Sequence, residues 1–183
     1  DKNNTNPSDP RMMMKNCDVL NNYIHNTGAD FDSSAAISLG FGPNMDFSYN
    51  EIFNMPYSGY HIGYGWQQPF ENNLKNLVIS HNFIHDFMGD GVADGGGVYT
   101  LGNTSGDGYN KIHSNYVKTV MDVAGPLYCD EGSTYYEVYN NLVDLSKVSD
   151  WKGDTVMSWL QMNGGSHHLW VHDNFATVSK YYW

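Results

Sequence analysis

The sequence predicts an all-β protein, a right-handed parallel β-helix of about six coils with an internal ladder of asparagines. Three observations carry this reading. One asparagine recurs in similar company along the chain. Two apolar columns keep step with it. Each repeat also holds a second apolar run, short and bounded by glycine.

The recurring residue is Asn22, Asn50, Asn82, Asn115, Asn141 and Asn174, within NNYIHN, SYNEIFN, SHNFIHD, HSNYVKT, YNNLVDL and HDNFATV. The spacings are 28, 32, 33, 26 and 33. Three residues before each asparagine stand Val19, Phe47, Ile79, Ile112, Val138 and Val171. Two residues after stand Ile24, Ile52, Ile84, Val117, Val143 and Ala176. All are apolar, although only 40% of the chain is hydrophobic. The second runs are AAISLG, GYHIG, GVYTLG, GPLYCDEG and TVMSWLQM. Their alternation and glycine boundaries mark strands, and no segment shows a helical stripe. Stacked coils about 4.8 Å apart let identical amides bond up and down the stack. The alternative is a β-sandwich with asparagines at hairpin turns. The asparagines lie between two apolar columns instead of in Asn-Gly turns, which favours the solenoid.

Residues 1–15 read as a polar lead-in and 16–183 as one β-helix domain, expected to be part of a longer chain. Neither end shows a polar or helical cap. Uncapped strand edges are expected to contact further chain or neighbouring subunits.

Composition narrows the partners. The formal net charge is −11 and Arg11 is the single arginine, so a phosphate backbone has no basic surface to meet. No nucleic acid is expected. No apolar run approaches the roughly 18 residues of a membrane span. Fourteen tyrosines and five tryptophans suit a surface that grips an amphipathic ligand such as a carbohydrate. Cys17 and Cys129 fall in different strands of distant coils, so two free, buried thiols are expected.

In the second runs, Ser38, His61, Tyr99 and Tyr128 form one outward column. Leu39, Ile62, Thr100 and Cys129 point inward. Asp130 lies two residues beyond Tyr128, on the outward face. Asp94 sits in the loop entering the preceding coil's strand. The two acids are therefore separated by several ångströms to about 10 Å, the range of two-carboxylate glycosidases. Glu131 is a reserve acid, and Asp86, Asp90 and Asp122 could tune the group. Glycines 95 to 97 would leave open space for a sugar beside Asp94. Tyr57, His61, Tyr64 and Trp66 could form an aromatic wall for a sugar, and His61, Tyr64, Trp66, Tyr99 and Tyr128 would line the sugar groove. Bland readings stand beside these. Asp94 fits an Asp-Gly turn, Asp130-Glu131 a solvated strand end, and the aromatics ordinary loop packing.

No metal site and no cofactor is expected. His25 and His85 are two coils apart, too far for one zinc. His167 and His168 should point to opposite faces of a strand. GDGVADGG could bind calcium through carboxylates and carbonyls, but it lacks the regular spacing of a calcium loop, so calcium is an open alternative and not the expectation.

Four motifs carry a resemblance: NNYIHNTG (21–28), PYSGYHIGYGW (56–66), ADGGGVYTLG (93–102) and LYCDEGS (127–133). They resemble the β-helix domain of bacterial carbohydrate-active enzymes, most of all glycoside hydrolase family 141. The likeness runs from about Asn16 and matches only central and later coils of a larger domain. It implies a secreted or periplasmic enzyme acting on fucosides or xylan through a pair of acids, here Asp94 and Asp130. Two other classes remain open: a non-catalytic glycan-binding β-helix, and a polysaccharide lyase or epimerase. The latter would need basic groups or calcium to neutralise a uronate.

Overall fold

The computed structural model describes residues 7, 9–67, 72–89, 92–119, 125–146 and 158–177. The first coil supplies β1 (Cys17–Leu20), β2 (Tyr23–His25) and β3 (Ile37–Leu39). The second supplies β4 (Pro43–Ser48), β5 (Glu51–Phe53) and β6 (Tyr60–Gly63). The third supplies β7 (Lys75–Ser80), β8 (Phe83–His85) and β9 (Val98–Leu101). The fourth supplies β10 (Asn110–His113), β11 (Tyr116–Lys118) and β12 (Leu127–Cys129). The fifth supplies β13 (Thr134–Tyr139), β14 (Leu142–Asp144) and β15 (Leu160–Met162). A sixth adds β16 (His167–His172) and β17 (Phe175–Thr177).

These strands make three parallel sheets. The first runs β1-β4-β7-β10-β13-β16, the second β2-β5-β8-β11-β14-β17, and the third β3-β6-β9-β12-β15. Among the described residues the solenoid thus has five three-strand coils and part of a sixth. The expected apolar columns are in register, Val19 to Val171 in the first sheet and Ile24 to Ala176 in the second. Ile52, Ile79, Ile84, Val117 and Val143 are fully buried, whereas the end-coil members are only half-buried. Among the described residues, helix is limited to one 3₁₀ turn, Pro10–Met12.

The asparagine ladder is continuous. Nδ2 of Asn22, Asn50, Asn82, Asn115 and Asn141 donates to Oδ1 of the next asparagine at 2.9–3.2 Å. The backbone N–H of each also donates to that same oxygen. From Asn50 onward, Nδ2 makes a second bond back to a carbonyl of the preceding coil, such as Val19 or Ile79. Each interior amide is therefore satisfied, which a buried polar group requires.

The residue before each ladder asparagine is left-handed: Asn21, Tyr49, His81, Ser114, Asn140 and Asp173, all with φ between 52° and 59°. This turns the chain between the first and second sheets, at a cost that non-glycine residues rarely accept. A second left-handed column opens the first sheet at Asn16, Asn44 and Asn76 and continues with Tyr135 and His168. Its asparagines form their own exposed ladder, bonded at 2.8 Å. Farther along, Tyr135 stacks on His168 at 4.7 Å. The left-handed φ of His168 also breaks strand alternation. His167 and His168 therefore do not face opposite ways: their rings touch, with Nδ1 atoms 2.6 Å apart.

Both thiols are free, Cys17 in β1 and Cys129 in β12. Cys129 is buried as expected, and burial pushes its thiol up to about 11. Cys17 is only half-buried, because the described coils cover it from one side.

Two outcomes follow. Asn115→Ala strands the Asn82 amide donors and the Ile79 carbonyl, and should lower stability by about 3 kcal/mol or more. Asn22→Ala, at the exposed end, should cost about 1 kcal/mol; equal urea midpoints for the two variants would contradict the ladder's role. A thiol reagent at mildly alkaline pH should label Cys17 in the native protein and Cys129 only after denaturation. Equal labelling rates would contradict the assigned burial.

Candidate functional site

The third sheet carries the expected outward column in register: Ser38, His61, Tyr99, Tyr128 and then Gln161. Leu39, Ile62, Thr100 and Cys129 pair inward and are buried. One expectation needs correction here. Tyr99 and Tyr128 are each only 4% exposed and do not offer open ring faces. They pack edge to face at 5.2 Å and turn their hydroxyls to the acids.

Asp130, 3% exposed, is the centre of this cluster. The Tyr99 hydroxyl donates to its Oδ2 at 2.5 Å. Asn163 Nδ2 donates to its Oδ1 at 2.8 Å, and the Tyr128 hydroxyl lies 3.0 Å from that oxygen. The same Tyr128 hydroxyl lies 2.9 Å from Oδ1 of Asp94. The two Oδ1 atoms are thus no more than about 6 Å apart, the sum of those two contacts. A phenol has one proton, so Tyr128 can donate to only one carboxylate at a time. Burial first, then bonds to the acids, push the Tyr99 and Tyr128 hydroxyls far above the ordinary tyrosine range. Both therefore remain protonated donors.

Asp94 comes from the loop entering β9 and is exposed, with a left-handed φ of 70°. The Tyr57 hydroxyl from the second coil donates to its carbonyl at 3.0 Å. The glycines after it do not leave open space. Gly95, Gly96 and Gly97 are buried. A Cβ on Gly96 would stand 2.2 Å from the Gly125 carbonyl oxygen, and one on Gly97 would stand 2.7 Å from Val117. The glycines let the loop pack against its neighbours and so fix where Asp94 emerges. The Ser58 hydroxyl accepts from Gly96 N–H at 3.2 Å and anchors the same segment.

His61 is half-buried and meets Tyr99 edge-on at 4.9 Å. Burial lowers its pKa, with Asp130 opposing in part, so its ring is neutral at neutral pH. Tyr64 and Trp66 pack together at 5.8 Å in a strap that leaves the second coil. The strap crosses the corner between the third and first sheets. There Gly102 and Gly132 have φ of 77° and 76°, and a Cβ on either would strike the backbone of Tyr64 or Trp66.

Glu131 lies in the turn after Asp130. Its carbonyl accepts from Gly102 N–H, but no hydrogen bond or ion pair engages its carboxylate among the described residues. Asp86 pairs with His85 and not with the Asp94–Asp130 cluster. Asp90 and Asp122 lie outside the described residues. So do residues 155–157 of TVMSWLQM and residues 90 and 91 of GDGVADGG.

Asn163 was not apparent as a site residue from the sequence. Its signal is spacing: it follows Asp130 by 33 residues, and Met162 pairs with Cys129. Asn163 thus takes the Asp130 position one coil later. Among the described residues, no three metal-ligating side chains gather. His25 and His85 stack on opposite faces of Phe53, each at 5.0 Å.

The glycine packing is testable. Gly96→Ala should prevent soluble folding or lower stability by about 3 kcal/mol or more. Gly40→Ala has its nearest contact at 3.9 Å and should stay within about 0.5 kcal/mol of the parent. A folded, equally stable Gly96→Ala protein would contradict the loop placement.

No family model matches the chain, and no curated protein matches it. A solved structure named "Glycoside hydrolase" is similar, with 30% identity and a TM-score of 0.66. The likeness covers 92% of this chain and 27% of that one. The chain therefore spans about a quarter of the length of the structure it matches, and is a parallel β-solenoid like part of a glycoside hydrolase.

Proposed function

We propose that the chain is the catalytic stretch of a β-helix glycoside hydrolase acting on a neutral plant-type polysaccharide or its side chains. Fucosides and xylan-like glycans of the kind associated with family 141 are the substrate class. The observation that carries the reading is the Asp94–Tyr128–Asp130 cluster, two acids from consecutive coils joined through one hydroxyl.

Glycoside cleavage needs one carboxyl group entering protonated and one ionised. Asp94, exposed on its loop, takes the first role and gives its proton to the leaving oxygen. Asp130, ringed by the donors Tyr99, Tyr128 and Asn163, takes the second as an acceptor. A gap of at most about 6 Å falls on the retaining side of the range for such pairs. In that mechanism an Asp130 oxygen bonds to the anomeric carbon as the glycosidic C–O bond breaks. Asp94 then takes a proton from water, whose oxygen displaces Asp130. The sugar reaches Asp130 by displacing the Tyr128 hydroxyl. Neutral His61 is suited to bonding a sugar hydroxyl, and Tyr64 and Trp66 flank the approach.

A glycan-binding module without chemistry would not require two acids in one hydrogen-bonded cluster. A lyase or epimerase would require basic groups or calcium beside the uronate, and no lysine or arginine joins this cluster among the described residues. A location outside the cytoplasm is proposed with the hydrolase reading, and no cofactor is part of it. Glu131 stays the reserve acid.

Asp94→Asn and Asp130→Asn should each lower kcat by about a hundredfold or more with the fold intact. Glu131→Gln should retain most activity. Near-normal turnover in both aspartate variants would remove the assignment.

A further inference from the structure

We propose that the groove beside Trp66 is a second subsite, taking a neutral sugar unit of the polysaccharide chain whose linkage lies at Asp94 and Asp130. The inference rests on the hydrolase reading and extends it from a single sugar to an internal chain segment.

The groove is built by the strap. Gln67 Nε2 donates to the Gly164 carbonyl at 3.0 Å, so residues from the second coil are tied to the fifth. Gly165, with φ of 78°, leaves the space that the Gln67 side chain fills. Beneath lie Thr104 and Thr134, whose two mutual hydrogen bonds make a rigid floor. The space between is about 370 Å³, within the size range of small-ligand sites.

Its lining chemistry suits a neutral sugar. Trp66, 44% exposed, and Tyr135 supply aromatic surface. Gln67 and His167 supply hydrogen-bonding groups. Among the described residues, no aspartate, glutamate, lysine or arginine lines it. Position ties it to the acids. Gly132 in the groove lies two residues from Asp130, and Gly165 lies two from Asn163, which bonds Asp130. The groove and Asp130 therefore lie within about 7 Å of backbone of each other, the reach of two residues.

The test is calorimetric titration of the full chain carrying Asp94→Asn, using xylo-, cello- and manno-oligosaccharides as disaccharides and hexasaccharides. One series should bind as hexasaccharide about tenfold tighter than as disaccharide. Adding Trp66→Ala or His167→Ala should each shrink that ratio, with circular dichroism melts showing a retained fold. Equal affinity for both lengths, no binding at all, or a ratio unmoved by both substitutions would overturn the subsite. Hydrolysis by the unsubstituted protein without a length preference would overturn the subsite alone and leave the acid pair standing. A length preference lost in the variants, with no cleavage of any glycan, would support the subsite and sink the hydrolase reading.

Discussion

The amide stack at the bend between the first and second sheets is the constraint on which the rest depends. Each ladder oxygen accepts two bonds from the preceding coil, and every coil must place its asparagine directly over the last. A slip of one residue would bury a polar side chain unpaired and turn the apolar columns outward. The ladder therefore sets register for all three sheets, including the one that carries the acids. Loops between strands vary in length, and the repeat spacing varies with them from 26 to 33 residues, but the columns do not shift.

That register lets residues distant in sequence make one cluster. Tyr57 comes from the second coil, Tyr99 and Asp94 from the third, Tyr128 and Asp130 from the fourth, and Asn163 from the fifth. Buried hydroxyl groups hold the acids, and tightly packed glycines hold the loop that presents Asp94. Preorganised donors around a carboxylate are what a charge-developing reaction requires, because they need not reorient as the charge forms. In such a scheme the tyrosines position the acids and do not serve as stacking platforms.

The fold was legible because its determinants are periodic. The ladder, both apolar columns and all five second-run strands appear where the spacing predicted them. The nearness of Asp94 and Asp130 was legible for the same reason: the repeat register puts them in consecutive coils beside the third sheet. What periodicity could not convey is side-chain packing. Glycines 95 to 97 read as open space because composition does not reveal the carbonyl of Gly125 two ångströms from a missing Cβ. The inward lean of the tyrosine hydroxyls depends on rotamers and covering loops. The touching rings of His167 and His168 depend on a left-handed residue inside a strand, which alternation alone does not anticipate. Asn163 was hidden because its own segment, QMNGGS, shares no motif with LYCDEGS and meets it only through register.

The central claim is that Asp94 and Asp130 cleave a glycosidic bond as a closely spaced pair. Proton NMR of the first-formed product, recorded before mutarotation, tests it most directly. The short gap through Tyr128 predicts net retention of the anomeric configuration. Inversion would contradict it, since that outcome needs room for a water between carboxyl groups farther apart than these.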